Sequence, residues 1–342
     1  MSNYALNRLR RLYMAAQTDP LTLPSSITNT NYCLFSSLDI VGEQQVIRRP
    51  DITGSRQDLI GLPGRHTGTW SVSMSLAGSG SAGTAPDCDP LLQAIFGAAN
   101  TAVASTSNTY SLSDNIITCA LYHYRHAQNG TTALTQQISM GSTVTQATFS
   151  LGSDIATLSA NGRSIFVLDS DNWSAYTGVF SGAKGGLSAF PSEPSSPVFH
   201  GVPVVGFTGS LTTDSNSVAE LKSMTIKVTT GNQIVDDTFG QYFGSGVQGD
   251  FRTIDVSLTL DDSDSAAMLD LKQKAFSFAP INIVAVCGTT AGNTWTFNLN
   301  QVQMVNPKFS PGPKGRMRLD FNASVAHGTT LSGLDAFSLA LT

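Results

Sequence analysis

Four groups of residues in this 342-residue chain have types and spacing that could do chemistry. Gly78, Gly80 and Gly83 spell G-x-G-x-x-G between a strand pattern and a helix pattern, the arrangement that cradles a pyrophosphate. A dinucleotide site also needs a βαβ unit and an acidic residue about 20 positions on. After Asp89 no acid occurs before Asp114, and no buried parallel strand follows, so the glycines read as a mobile loop. Asp87 and Asp89 flank Cys88 in the manner of a nucleophile site. No His neighbours them in sequence, and Asp87 is placed to offer its carboxylate to the free N–H groups of a helix start. Asp261, Asp262 and Asp264 look like a cation loop. An EF-hand needs Gly at its sixth place and an acid at its twelfth; counted from Asp261 these are Ala266 and Lys272, so an acidic solvated loop is expected. His123 and His126 stand three apart in a strand-like segment and so face opposite sides, which argues against a shared metal. No G-x-S-x-G, H-E-x-x-H or Walker loop is present, and nothing asks for an enzyme, a metal or a cofactor.

The bulk composition points the same way. Hydrophobic residues make up 41% of the chain and charged residues 13%, against about 25% charged in ordinary globular proteins. Ser, Thr, Asn, Gln and Gly replace the missing charge, as in β-rich proteins whose surfaces are covered by neighbours. A net charge of -5 is a poor match for tight wrapping of nucleic acid, which needs many Lys and Arg against phosphates. Cys33, Cys88, Cys119 and Cys287 show no C-x-x-C pair, so free thiols in a reducing cytoplasm are expected. There is no apolar leader pattern, and no run approaches the length that spans a bilayer.

The elements that must position these residues are mostly strands. Trp70, Val72, Met74 and Leu76 alternate with Thr69, Ser71, Ser73 and Ser75, and Ile254, Val256, Leu258 and Leu260 alternate with Asp255, Ser257 and Thr259. Each of these strands runs through a polar loop into a short amphipathic helix. The first helix carries Leu91, Leu92, Ile95 and Phe96, and Gly97 ends it. The second carries Met268, Leu269, Leu271, Ala275 and Phe276. Residues Tyr4 to Gln17 read as a helical arm bearing Arg8, Arg10 and Arg11. Gly42 to Gly64 reads as a long polar loop with Arg48, Arg49, Arg56 and Asp58, and Asp169 to Phe199 as a Gly- and Pro-rich linker or surface excursion. The order strand, loop, helix, strands, then Phe149-Ser150-Leu151-Gly152, returns in the second half and ends at Phe309-Ser310-Pro311-Gly312. Such an order implies two similar domains in tandem.

The string GTAPDCDPLLQA, entered from TGTWSVSMSL, resembles the tail tube protein family of long-tailed, siphovirus-type bacteriophages. The opening ALNRLRRLYMAAQTD, the segment IVGEQQVIRRPDITGSRQ and the stretch FTGSLTTDSNSVAELKSMTIKVTTGNQ resemble the same family. Cys88 departs from the pattern, where an aromatic is common. The resemblance implies a mainly β chain of two tandem barrel- or sandwich-like tube domains, each with a short α-helix on its sheet. Their expected limits are an arm at 1–28, a first domain at 29–198 with an excursion at 169–198, and a second domain at 199–342. It further implies trimers that form rings, rings stacked into a tube, other tail proteins at the tube ends, and double-stranded DNA passing through without sequence-specific contact. No membrane is involved; the expected location is the virion, after synthesis in the host cytoplasm.

On this reading the lumen is lined by Ser71, Ser73, Ser75, Asp255, Ser257 and Thr259, a polar and non-basic set. Contacts between subunits or rings are expected at Arg8, Arg10, Arg11, Arg48, Arg49, Gly80 and Gly83. Two readings of other kinds compete: a different phage ring protein such as a tail-completion protein, and a ligand-binding β-sandwich serving as a decoration or adhesin.

Overall fold

A computed structural model of the chain describes residues 5–49, 51, 59–127, 133–325 and 334–342. The fold is mainly β and sandwich-like, with two α-helices among the described residues. In chain order the first half contains β1 (Ala5–Gln17), β2 (Tyr32–Cys33), β3 (Ser37–Ile47), β4 (Leu62–Ser75), α1 (Asp89–Phe96), β5 (Thr101–Val103), β6 (Ser107–Ser111), β7 (Thr118–Ala127), β8 (Ala133–Gly152), β9 (Thr157–Ser164) and β10 (Phe166–Asp169). The second contains β11 (Ser210–Thr213), β12 (Asn216–Ser217), β13 (Leu221–Thr229), β14 (Gln233–Val235), β15 (Gly246–Gln248), β16 (Thr253–Asp261), α2 (Ala266–Ser277), β17 (Ile281–Cys287), β18 (Trp295–Met304), β19 (Lys308–Pro311), β20 (Met317–Val325) and β21 (Phe337–Leu341).

A long antiparallel wall runs β3-β4-β9-β8-β13-β16-β20-β19. A second layer runs β5-β6-β21-β18-β17-β11-β12 and joins the wall where the end of β18 pairs with β20. The alternation in β4 and β16 forms this sandwich. Val72, Met74, Val256 and Leu258 point inward and are buried, while the residues between them point away. Between the layers Phe149 stands edge-on to Phe297 with ring centres 5.5 Å apart, and Phe96 of α1 meets Phe337 at 5.0 Å.

A third group of strands, β2-β1-β7-β8-β10, carries its own smaller core. The 20-residue β8 belongs to both sheets: its first half pairs with β7 and β10, its second with β9 and β13. The change of sheet falls at Gly141, whose φ of 58° suits glycine and whose N–H donates to Gln17 Oε1 at 2.9 Å.

Several expectations are corrected here. The N-terminal segment is strand β1, not a helical arm. Leu12 and Met14 point into the main core while Tyr13 and Ala15 point into the smaller one, so both faces are apolar. A strand buried on both faces loses its alternation and mimics a helical run. The polar loop expected over Gly42–Gly64 is in part a hairpin, because β3 continues to Ile47 and β4 begins at Leu62. Arg56 and Asp58 lie outside the described residues. The 169–198 stretch is not a linker. Trp173, Tyr176, Phe180, Leu187 and Phe190 cover the smaller core, and Glu193 accepts from Arg11 Nη1 at 2.9 Å and from Tyr13 Oη at 3.1 Å. His126 Nε2 lies 2.6 Å from the other oxygen of Glu193.

On α2 the buried residues are Met268, Leu271 and Ala275, whereas Leu269 is 50% and Phe276 75% exposed. Of the apolar residues read onto this amphipathic helix, Leu269 and Phe276 thus do not cover the sheet: the i, i+3, i+7 row starting at Met268 faces inward, which turns the other row to solvent.

Candidate channel face and subunit contacts

Side chains that oppose one another across a ladder lie on one face, so the register builds the candidate site directly. One row reads Ser37-Ser73-Ser159-Thr148-Lys227-Asp255-Ser324 across seven strands. The next reads Ser75-Thr157-Ser150-Thr225-Ser257-Asn322. A third begins Asp39-Ser71-Asn161-Gln146-Thr229, and a fourth joins Ser223, Thr259, Asp320 and Lys308. All six residues expected to share a polar surface therefore lie on one continuous face of the wall. Ser73 Oγ lies 2.6 Å from Ser159 Oγ, Ser257 Oγ donates to Asn322 Oδ1 at 3.1 Å, and Thr259 Oγ1 to Asp320 Oδ1 at 2.9 Å.

The face is polar but not free of bases, which corrects the expectation drawn from those six residues. Lys227 opposes Asp255, Lys308 opposes Asp320, and Arg163 Nη2 lies 3.6 Å from Asp236 Oδ2. Each of these cations has an acid beside it. The alternation of Ser159, Asn161 and Arg163 with Leu158, Ala160 and Gly162 was a readable signal for β9. The contributions of β13 and β20 follow only from the pairing.

The expected contact residues divide into two sets. Arg10 and Arg11 are used within the chain: Arg10 Nη1 donates to the Leu38 carbonyl at 2.9 Å, and Arg11 pairs with Glu193. Arg8 and Arg48 are exposed, and Arg49 pairs with Asp51 at 2.8 Å. The Gly78–Gly83 loop, expected to be mobile, is tied down by its own chain. Gly78 N–H donates to Asn293 Oδ1 at 2.6 Å and Gly80 N–H to the Gly292 carbonyl at 3.2 Å. Gly83 has φ 76°, and a Cβ there would meet the Val103 carbonyl oxygen at 2.5 Å.

The acidic and thiol groups also find structural roles. Asp87 does not cap α1. It accepts from the His200 N–H at 2.9 Å and lies 2.7 Å from His200 Nδ1, so the missing histidine is brought from the far side of the excursion. Asp89 accepts from Gln93, Asn100 and the buried Tyr110 hydroxyl at 2.6, 2.6 and 2.7 Å. Cys88 is buried between them, and desolvation followed by the charges of Asp89 and Asp87 pushes its thiol far above the ordinary range, opposite to what a nucleophile needs. Of the expected acidic solvated loop only Asp261 departs: it ends β16, buried among Lys222, Arg316 and Arg318, whereas Asp262 and Asp264 are exposed and Asp262 pairs with Lys272. All four cysteines are free and buried. Among the described residues no helix is long and apolar enough to cross a membrane.

The chain is thus mainly β, with a broad polar wall on one face. The family model of the phage tail tube protein matches residues 7–325, and the chain belongs to that family. It is a structural component of a phage tail and part of the virion. Comparison with curated proteins gave no match. Among solved structures the chain is similar to the tail of an empty gene transfer agent particle (12% identity, TM-score 0.25, covering 32% of this chain and 80% of that one). It is also similar to the virion of a native gene transfer agent particle (13% identity, TM-score 0.25, 32% and 82% covered).

Proposed function

We propose that this chain is the major tail tube subunit of a long-tailed phage. Three copies form a ring, rings stack into the tube, and the polar face lines the channel through which double-stranded DNA leaves. The observation that carries this reading is the continuous polar face of the wall, bounded at its ends by β3 and β19, each with one ladder partner among the described residues. An unpaired edge offers its N–H and C=O groups to another strand, and edges at both ends of one sheet let copies join side by side until the sheet closes. The apolar face is used up against the second layer and the helices, so closure leaves the polar face inward or outward as a wall. The acids beside Lys227, Lys308 and Arg163 lower their pull on phosphates, so a duplex gains little by releasing counterions there. Synthesis in the host cytoplasm accords with four buried thiols left unpaired.

The halves 29–198 and 199–342 are tandem copies of one tube domain. In support, β4 leads into α1 and β16 into α2, each from an interior strand of the same wall. Other tail proteins cap the tube at its ends, and Arg8, Arg48, Arg49, Gly80 and Gly83 lie at contacts between subunits or rings. The test is light scattering and negative-stain microscopy of the purified chain over a range of concentrations. Ring-sized trimers that give way to hollow tubes are expected. A monomer that persists at high concentration without tubes overturns the proposal and favours the ligand-binding sandwich.

A further inference from the structure

Residues 170–198 lie over the smaller core without entering a ladder. They form two short 3-10 turns, Trp173–Ala175 and Gly178–Lys184, and no strand. Few backbone groups tie them to the body. The Ser170 N–H donates to the Gln136 carbonyl at 2.9 Å, and the Val198 N–H to the Asn29 carbonyl at 3.1 Å. Between these ends the Gly185 carbonyl accepts from the Leu23 N–H at 2.9 Å and the Pro191 carbonyl from the Tyr124 hydroxyl at 3.3 Å. A segment so sparsely bonded opens more cheaply than the sheets beneath it. Under it lie the buried Tyr13, Tyr122, Tyr124 and Phe166, with the Phe166 ring 5.3 Å from Tyr176.

Glu193 fastens the far part of this segment. Its Oε1 accepts from Arg11 and Tyr13, and its Oε2 lies 2.6 Å from His126 Nε2. The His126 ring is buried, and its other nitrogen, Nδ1, lies 2.8 Å from the Leu9 carbonyl oxygen. A carbonyl and a carboxylate only accept, whereas a neutral imidazole has a single N–H. Either neutral tautomer therefore turns a lone pair on an oxygen at hydrogen-bonding distance. Both contacts are made together only when the ring carries two protons. Arg11 and Tyr13, donating to Oε1, keep Glu193 a carboxylate. The other titratable groups on this side are Tyr32 of β2 and Tyr124 of β7, while Arg10 and Arg125 oppose each other on the far face of the sheet. His66 packs on Phe180 elsewhere in the segment, and burial lowers its pKa, so it is neutral in alkali.

We infer that residues 170–198 are a strap latched by the second proton on His126, and that losing this proton opens it. With two protons the ring bridges the Leu9 carbonyl and Glu193, and the strap is shut. With one proton the ring must give up one of the two contacts, and the carboxylate or the carbonyl faces a lone pair. Opening bares Tyr13, Tyr122, Tyr124 and Phe166 while every ladder stays paired. The shut form binds one proton more than the open form, so acid favours the shut strap and rising pH opens it. The latch belongs to the single chain and holds whether or not copies form a tube.

The test uses the full chain. Trp70 and Trp295 are buried, so acrylamide quenching of fluorescence reads Trp173 in the strap. Lys184, whose Nζ sits 4.4 Å from the Trp173 ring centre, is the one trypsin site between Arg163 and Lys222. From about pH 6 to about pH 9.5 quenching should rise while far-ultraviolet circular dichroism holds, and the open fraction should grow by up to about tenfold per pH unit, the limit for one proton. Glu193→Gln gives a neutral ring an N–H to accept and keeps an oxygen for Arg11 and Tyr13, so its strap should stay shut across this range. Glu193→Ala should be open throughout. Trypsin should cut it after Lys184 about tenfold faster than Glu193→Gln, since cleavage tracks the open population. Nitrogen-15 spectra of labelled histidine, with His126 identified from its loss in His126→Gln, should show a doubly protonated ring at about pH 6. A singly protonated ring there overturns the latch. So does the same pH dependence in Glu193→Gln as in the unmodified chain, or a strap in Glu193→Ala as shut as in Glu193→Gln.

Discussion

Ser73 and Asp255 lie in one row of the wall, joined across the ladder by Ser159, Thr148 and Lys227. The two residues come from opposite halves of the chain, and β8 and β13 supply the seam between them. A single surface made from both halves is what a channel lining requires, and it makes the row a good place to add charge.

Replacing Ser73 and Ser257 with Lys tests which way this face looks. Both sites are small, polar and open, so tubes should assemble normally. Genome release should slow, and raising the salt concentration should relieve the slowing, since new cations gain affinity for phosphates by releasing counterions. Ejection at the wild-type rate through tubes of normal appearance would place the face elsewhere.

The two helices give a stability test on the free subunit. Phe96 and Leu271 are buried, so Phe96→Ala and Leu271→Ala should each cost about 2–5 kcal/mol in denaturant unfolding. Asp89→Ala should cost about 1–3 kcal/mol, because it leaves the buried Tyr110 hydroxyl without its acceptor. Phe276→Ser should be near neutral, although it removes a larger apolar group than Leu271→Ala does. A cost at Phe276 equal to that at Leu271 would mean that α2 presents its other face to the sheet.

His123 gives the free subunit a defined acid sensitivity. It is buried on β7, and neither ring nitrogen has a hydrogen-bond partner among the described residues. Desolvation, then the charges of Arg125 and Arg10, lower its pKa to about 3. The folded pKa lies below the unfolded value of about 6.5, so between these values the unfolded chain binds the extra proton. The stability associated with neutral His123 is whole above about pH 6.5 and falls by about 1.4 kcal/mol per pH unit on acidification. His123→Phe should flatten the decline in melting temperature between neutral pH and about pH 4.5. A decline as steep as that of the unmodified chain would assign the sensitivity to the carboxylates instead.

Much of the wall was legible in the sequence because β4 and β16 are wet on one side and dry on the other. Ser71, Ser73, Ser75 and their counterparts in β16 declare the polar face by alternation alone. α1 was legible for a related reason: Leu91, Leu92, Ile95 and Phe96 leave one way to turn, and Gly97 stops the helix in the left-handed region at φ 73°. β1 was hidden by its success at burial, since Leu12 through Ala15 fill two cores at once. The cover at 169–198 was hidden because its aromatics are spaced irregularly among Gly and Pro and touch partners far away in sequence. The same distance concealed His200 beside Asp87 and the three bases around Asp261. Lys227 was visible as a residue, but its place opposite Asp255 depends on a register that only folding sets.

β8 also has a mechanical consequence. Because one strand serves both sheets, a tug on β1 or β7 travels down a single covalent backbone into the wall. There it is resisted by the hydrogen bonds to β9 and β13 on both flanks together. A pull along β8 is borne in shear, with many bonds sharing the load, whereas a pull across the edge of a sheet opens bonds one at a time. The outer strands are thus tethered to the wall like a lap joint, and a subunit strained along this axis should slip late and all at once.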